Sequence, residues 1–206
     1  MAAQTSVTSL EFVPAGTHSY LLTGGAADGA VKLWDARRPA LPVLSIVPSL
    51  ERRNLALPSC HAPLQAPAPT PRLHGISALA LDPTGKHLLA STTDAHHYLY
   101  PLHALNLGFS KVLAGHGSSS FYTRTAFNPD GSLVLSGSLH PHACVWNLAP
   151  TTPTPPHTPL RPAATLPAHT AEVTVVAWSR RDPYTLATAG DDATLKVWRM
   201  HGGGDE

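Results

Sequence analysis

The sequence predicts an all-β chain made of four repeated units, each built from short antiparallel strands. Three observations carry this reading. A strand-like run closing on an aromatic residue recurs four times, as VKLWD (31–35), HYLYP (97–101), ACVWN (143–147) and LKVWR (195–199), centred on Trp34, Tyr100, Trp146 and Trp198. Six residues before each aromatic stands Asp28, Asp94, His140 or Asp192, while the copies themselves lie 66, 46 and 52 residues apart. A fixed interior with variable joints marks a repeated structural unit. The third observation is compositional: Pro 21 and Gly 15 together make 36 of 206 residues, which implies many turns and long loops and few long helices.

Two further runs precede each aromatic strand. The first strand of a unit reads VTSLEFVP (7–14), ISALALDP (76–83), YTRTAFNP (122–129) or VTVVAWSR (173–180), and in three copies a terminal proline ends it. The second reads YLLTGG (20–25), HLLAST (87–92), LVLSGS (133–138) or TLATAG (185–190), small and apolar enough for a crowded sheet. PAGTH, PTGKH, PDGS and RRDPY between them supply the Gly, Asp and Pro that tight reversals need. A fourth, outer strand is expected at KVLAG (111–115) and AATLPA (163–168), and more faintly at VLSIV (43–47). The units then span about residues 6–37, 74–105, 115–149 and 168–200. Residues 38–73 and 149–164 hold 14 of the 21 prolines and are expected to form proline-rich loops free of helix and central strand.

Composition excludes several functions. Fourteen basic against thirteen acidic side chains give a net charge of +1, a poor basis for binding nucleic-acid phosphates or an anionic membrane. No direct nucleic-acid contact is therefore expected. The sequence carries no apolar run of the roughly 18 residues a membrane helix needs, and MAAQTSVTSLEF lacks the features of a secretory signal. Two cysteines, Cys60 and Cys144, make no disulfide framework, so an intracellular, reducing compartment is expected. The 13 histidines are scattered; His96-His97 and His140/His142 have no Cys or carboxylate at metal-ligand spacing, so neither metal nor cofactor is expected. Phosphate-loop and nucleophile-elbow motifs are missing too, and the chain reads as non-catalytic.

The pattern resembles the WD-repeat β-propeller family. The fourth unit, AHTAEVTVVAWSRRDPYTLATAGDDATLKVWRM, is the strongest match. In that family a His before the first strand, a Ser or Thr in the second, an Asp in the next turn and the Trp of the third form a buried hydrogen-bonded set. The resemblance assigns His169, Thr188, Asp192 and Trp198 to it; His116, Ser136 and Trp146 in the third unit, with His140 in place of the Asp; and Thr23, Asp28 and Trp34 in the first. The second unit keeps only Asp94, with Tyr100 as its aromatic. His, Ser or Thr, and Asp could also compose a catalytic triad, but a set that recurs in each repeat is structural, because a triad occurs once per active site. At about 40 to 45 residues per blade a seven-bladed ring needs roughly 300. The expectation is an open four-bladed arc, part of a larger propeller.

Within that family the segments SVTSLEFVPAGTHSYLLTGGAADGAVKLWDARR, GHGSSSFYTRTAFNPDGSLVLSGS and AEVTVVAWSRRDPYTLATAGDDATLKVWRM resemble, in order, the later blades of the denticleless family of substrate receptors of cullin-four RING ubiquitin ligases. SSSFYTR is the most distinctive run. The resemblance implies a nuclear protein, with the cytoplasm as alternative, that recruits replication-licensing and cell-cycle proteins bound to the replication sliding clamp for ubiquitin-dependent degradation. It also implies that Arg37, in a Trp-Asp-x-Arg element with Trp34 and Asp35 as support, contacts the ligase adaptor, the damaged-DNA-binding-protein subunit. The alternative is a WD-repeat scaffold unrelated to ubiquitination.

Overall fold

The computed structural model describes residues 6–14, 19–55, 73–117, 120–149, 158–167 and 169–200, without the side chains of 52–55. They form four antiparallel sheets, taken one after another along the chain. The first holds β1 (Val7–Phe12), β2 (Tyr20–Gly25), β3 (Val31–Asp35) and β4 (Leu44–Ile46) and is followed by a helix, α1 (Pro48–Leu55). The second holds β5 (Ile76–Leu81), β6 (His87–Thr92), β7 (His96–Pro101) and β8 (Lys111–Ala114), with a 3-10 segment at Leu102–Leu107. The third holds β9 (Thr125–Phe127), β10 (Leu133–Ser136), β11 (Ala143–Asn147) and β12 (Ala164–Leu166). The fourth holds β13 (Val173–Trp178), β14 (Thr185–Gly190) and β15 (Leu195–Arg199).

Each unit is an up-and-down meander, and the first strands line up side by side: β1 against β5, β5 against β9, β9 against β13. The result is an open arc of four blades. Because side chains alternate along a strand, every sheet has two faces. One carries the aromatic of the third strand and packs backward; the other is aliphatic and packs forward. Leu22, Val31 and Ile46 of the first sheet thus meet Leu88, Tyr98 and Tyr100 of the second. Leu89, Leu99 and Leu113 of the second meet Phe127, Val134 and Trp146 of the third. Leu135, Ala143 and Val145 of the third meet Val176, Trp178 and Leu186 of the fourth. Trp146, Tyr98 and Tyr100 are fully buried in these joints, and truncating any of them to alanine is expected to cost about 3–5 kcal/mol.

Two of the three joints are tight enough to specify glycine. Where the next sheet's first strand crosses the second strand, Gly24 lies under Ile76 and Gly137 under Val173. A Cβ on Gly137 would stand 2.1 Å from the Val173 carbonyl oxygen, a backbone atom that cannot rotate away.

One expectation fails. The proline-rich stretch 38–73 is expected to be free of helix, yet it contains α1; β4, an edge strand, falls where the faint outer strand at 43–47 is expected. No proline lies between Pro48 and Pro58, and Pro48 occupies the first helical position, where its missing N–H would have had no intrahelical partner. The helix starts on the Val47 carbonyl, which accepts from the N–H groups of Leu50 and Glu51 at 3.0 and 3.2 Å. Tyr100 anchors it across the joint by donating to Glu51 Oε2 at 2.8 Å. Most of the remaining prolines in the stretch, and Cys60, lie outside the described residues.

Candidate functional site

Two constellations from the sequence reading are the polar set repeated in each blade and the Trp34-Asp35-Arg37 element. In the fourth sheet the polar set is fully wired. His169 Nδ1 lies 3.0 Å from Asp192 Oδ2, its Nε2 lies 2.8 Å from Thr188 Oγ1, and Trp198 Nε1 donates to the same hydroxyl at 3.0 Å. The His169 side chain has no solvent exposure, so its ring nitrogens need these partners. Burial works against the Asp192 charge. Hydrogen bonds from the Thr194 hydroxyl, the Thr170 N–H and His169 outweigh it and hold the carboxyl well below the ordinary aspartate range.

The first sheet keeps half of this wiring. Trp34 Nε1 donates to Thr23 Oγ1 at 2.8 Å, and Asp28 accepts from Lys32 Nζ at 2.6 Å. The second sheet has Ala90 where the hydroxyl belongs, opposite Tyr98, and the tyrosines bring their own donors. Asp94 accepts from the hydroxyls of Thr92 and Tyr98 and has His96 Nδ1 3.4 Å away. Burial raises its pKa, but bonds from His96, Thr92 and Tyr98 dominate and bring it down to about 2.

The third sheet departs furthest. Trp146 Nε1 donates to the carbonyls of Ala114 and Leu160 at 3.3 and 3.2 Å, and Ser136 Oγ donates to the Gly137 carbonyl at 2.8 Å, so indole and hydroxyl do not meet. His116 stacks on His97 of the second sheet, ring centroids 3.9 Å apart and planes 8° off parallel, with the Trp146 edge against both. His116 Nδ1 and His97 Nε2 are buried with no hydrogen-bond partner among the described residues. Burial, then the charge of His96, lowers the His116 pKa to about 4; burial pushes His97 well below its ordinary value.

Backbone geometry explains this departure. In the other three units the residue after the acidic position is left-handed: Gly29 at φ 60°, Ala95 at 61°, Ala193 at 57°. The third unit has Pro141 there, and a proline ring holds φ near −65°. The turn cannot form, His140 stands exposed at the acidic position, and His116 Nδ1 loses the acceptor that Asp192 gives His169. Pro141, directly after His140, is the sequence signal for this departure.

The Trp34-Asp35-Arg37 element sits where β3 ends. Arg37 closes a fork on its neighbour: Nε donates to Asp35 Oδ1 at 3.0 Å and Nη2 to Oδ2 at 2.7 Å, while the Arg37 N–H also donates to Oδ1 at 3.0 Å. The Asp35 side chain is only 14% exposed and the Arg37 side chain 56%, so a largely buried carboxylate orients an outward guanidinium. The bond and charge of Asp35 raise the Arg37 pKa above its ordinary value, which keeps it cationic. Arg38 adjoins it in a shallow depression. SSSFYTR falls elsewhere: Phe121 and Tyr122 are exposed, and the Arg124 N–H donates to the Thr174 carbonyl at 2.9 Å, tying the third sheet to the fourth. Residues 118 and 119 lie outside the described residues.

Among the described residues no three His, Cys, Asp or Glu side chains converge as a metal site, and no helix is long and apolar enough to cross a membrane. Burial pushes the Cys144 thiol up to about 11, which leaves it a poor nucleophile.

The model of the WD domain, G-beta repeat, matches residues 2–35, 108–147 and 160–199. The chain belongs to the WD-repeat family. The WD-repeat match passes over most of the second unit, where Ala90 and Tyr100 replace the hydroxyl and the Trp. Among curated proteins the chain is similar to Denticleless protein homolog A of Xenopus laevis, 35% identical over 198 residues, 96% of this chain and 25% of that protein. It is 32% identical over 203 residues to the Denticleless protein homolog of Homo sapiens, 98% of this chain and 25% of that one. Protein lethal(2)denticleless of Drosophila melanogaster is 30% identical over 200 residues, 97% and 23%. The chain thus spans about a quarter of the length of these relatives. A chain from a crystal structure of the mitotic checkpoint complex shares the fold, with TM-score 0.67 at 19% identity over 97% of this chain and 49% of that one.

Proposed function

We propose that this WD-repeat chain acts as a non-catalytic substrate-receptor unit of a cullin-four RING ubiquitin ligase. In this reading it works in the nucleus and presents replication-licensing and cell-cycle proteins, held on the replication sliding clamp, for ubiquitination. The observation that carries the reading is the Arg37 fork: an exposed guanidinium held in one orientation by Asp35 at the end of β3. The similarity to denticleless homologues over nearly the whole chain supports it.

An arginine fixed by its neighbour forfeits little rotamer entropy on binding and still offers outward donors to carboxylates or carbonyls of a partner. Such arginines are enriched among residues that dominate interface energies. The receptor forms and breaks no bond. It raises the effective concentration of a substrate lysine near the charged conjugating enzyme.

Affinity capture with the adaptor, the damaged-DNA-binding-protein subunit, tests the proposal. The wild-type chain is expected to retain the adaptor and Arg37→Ala to lose most of it; equal capture of both, or of neither, contradicts the assignment. The alternative, a scaffold unrelated to ubiquitination, has one observation on its side: among the described residues the Arg37 side-chain bonds all stay within its own turn. Capture without adaptor but with other proteins would favour it.

A further inference from the structure

The proline-rich insertion at 149–164 contains three of the four Thr-Pro pairs in the sequence, at Thr152, Thr154 and Thr158; the fourth is at Thr70. Three residues after Thr70, Thr152 and Thr154 stand Leu73, Pro155 and His157, whereas Thr158 is followed at that distance by Arg161. Thr158 thus combines a proline at +1 with a permanent positive charge at +3. Both Thr158 and Arg161 are exposed. Thr70, Thr152 and Thr154 lie outside the described residues.

Backbone bonds fix the far end of the Thr158-Pro159-Leu160-Arg161 segment. The Leu160 N–H donates to the Val112 carbonyl at 2.7 Å, and the Leu160 carbonyl accepts from the Ala114 N–H at 3.0 Å and from Trp146 Nε1 at 3.2 Å. Three residues on, the Ala163 N–H donates to the Val145 carbonyl at 2.8 Å. The segment therefore straps the outer strand of the second sheet to the third sheet. Leu160 stands in parallel register with Leu113. Two residues earlier on each chain Thr158 comes level with Lys111, and residues two apart share a face. Lys111 Nζ donates to the Leu148 carbonyl, just before the insertion begins.

We propose that Thr158 is a phosphorylation site for a proline-directed protein kinase, and that the phosphate locks the strap through Lys111. A proline at +1 leaves no N–H unsatisfied in the kinase cleft, and an arginine at +3 suits a cleft with acidic side chains at that distance. In the reaction Thr158 Oγ1 attacks the γ-phosphorus of ATP. The new O–P bond forms as the bond to the β,γ-bridging oxygen breaks, ADP leaves, and the hydroxyl proton passes to a carboxylate of the kinase. The product carries about −1.5 to −2 of charge and three acceptor oxygens. While the kinase holds the segment Leu160 has to leave β8, so modification takes place on a transiently opened strap. Once the strap redocks, the phosphate stands beside the Lys111 ammonium, and this charge-assisted bond adds to those of Leu160. The proposal does not depend on the adaptor assignment.

The test incubates the purified 206-residue chain with ATP, Mg²⁺ and a cyclin-dependent kinase, a class that selects a basic residue at +3, followed by intact mass and peptide mapping. One phosphate is expected, on Thr158. Thr158→Ala is expected to abolish it, Thr158→Ser to retain it, and Arg161→Ala to slow it by about tenfold or more. Thr70, Thr152 and Thr154 are internal controls, with the same proline and no cation at +3. The phosphorylated chain is then expected to melt at a higher temperature than the unmodified chain, and Lys111→Met to remove that rise. No incorporation, phosphate chiefly on the other three threonines, or an Arg161→Ala rate equal to wild type would overturn the proposal. So would a Tm that phosphorylation leaves unchanged or lowers, or one that rises equally without Lys111.

Discussion

His140→Asp combined with Pro141→Gly is expected to stabilise the chain. In the fourth unit Asp192 accepts from His169 Nδ1 at 3.0 Å and from the Thr170 and Thr194 N–H groups at 3.0 Å each. In the third unit, Gly117 and His142 occupy the places of Thr170 and Thr194, and His116 Nδ1 is buried without a described partner. A buried polar group left unsatisfied costs about 1–3 kcal/mol. Replacing proline by glycine in a loop returns about 0.4–1 kcal/mol of chain entropy to the unfolded state. The net gain is about 1–2 kcal/mol, which for a chain of this length is a rise in Tm of about 2–8 °C. Urea unfolding at pH 7.5 with circular dichroism reads it directly. His140→Asp alone, with Pro141 in place, is expected to gain less than the double variant, since the left-handed turn stays closed to it. The reciprocal change Ala193→Pro is expected to cost more than about 1 kcal/mol, by imposing negative φ at 57° and removing the Ala193 donor to the Gly190 carbonyl. A double variant no more stable than wild type, or a single variant equal to the double, would refute the link between Pro141 and the unpartnered imidazole.

Acid should act in two stages. His116 titrates near 4 when folded and near 6.5 when unfolded, so between those values the unfolded chain binds more protons. Stability is therefore full above about 6.5 and falls by roughly 3 kcal/mol as pH drops to 4, with His97 adding in the same direction. Below about 3.8, protonation of Asp94, held near 2, removes more. Denaturation midpoints that stay flat from pH 7 to pH 5 would contradict this. Gly137→Ala is expected to destabilise by about 1–3 kcal/mol through the Val173 carbonyl, read as a lower urea midpoint; a neutral result would mean the third and fourth sheets are not in close contact. Tyr100→Phe removes the donor to Glu51, whose carboxylate burial already raises in pKa, and is expected to cost about 1–3 kcal/mol and to speed hydrogen exchange across α1. Unchanged exchange would show that this bond does not anchor the helix.

The fold was legible because its period is written in side chains. The aromatic of each third strand and the polar residue six before it, Asp in three units and His140 in the third, are independent of loop length, so proline-rich insertions of 36 and 16 residues do not hide them. The outer strands were legible for the same reason: VLSIV, KVLAG and AATLPA alternate or run apolar between turn residues. What escaped notice depended on contacts between distant segments. Nothing local to Glu51 announces Tyr100, and nothing near His97 announces His116; those pairs exist because one sheet packs on the next. Average proline content over residues 38–73 hides the helix, because a helix depends on where the prolines fall and none lies between Pro48 and Pro58. At the Arg37 element the sequence placed the residues, but the bidentate fork with Asp35 emerged only once β3 and its turn set their orientation.

The proposed contact of Arg37 with the ligase adaptor is the one to measure most directly. Calorimetric titration of the purified adaptor against wild-type chain, Arg37→Ala and Arg37→Lys measures it. Loss of an interface arginine costs about 2 kcal/mol or more, so the alanine variant is expected to bind roughly thirtyfold more weakly. Lysine is expected to recover only part of that loss, because it cannot form the fork with Asp35. Three indistinguishable affinities would contradict the assignment.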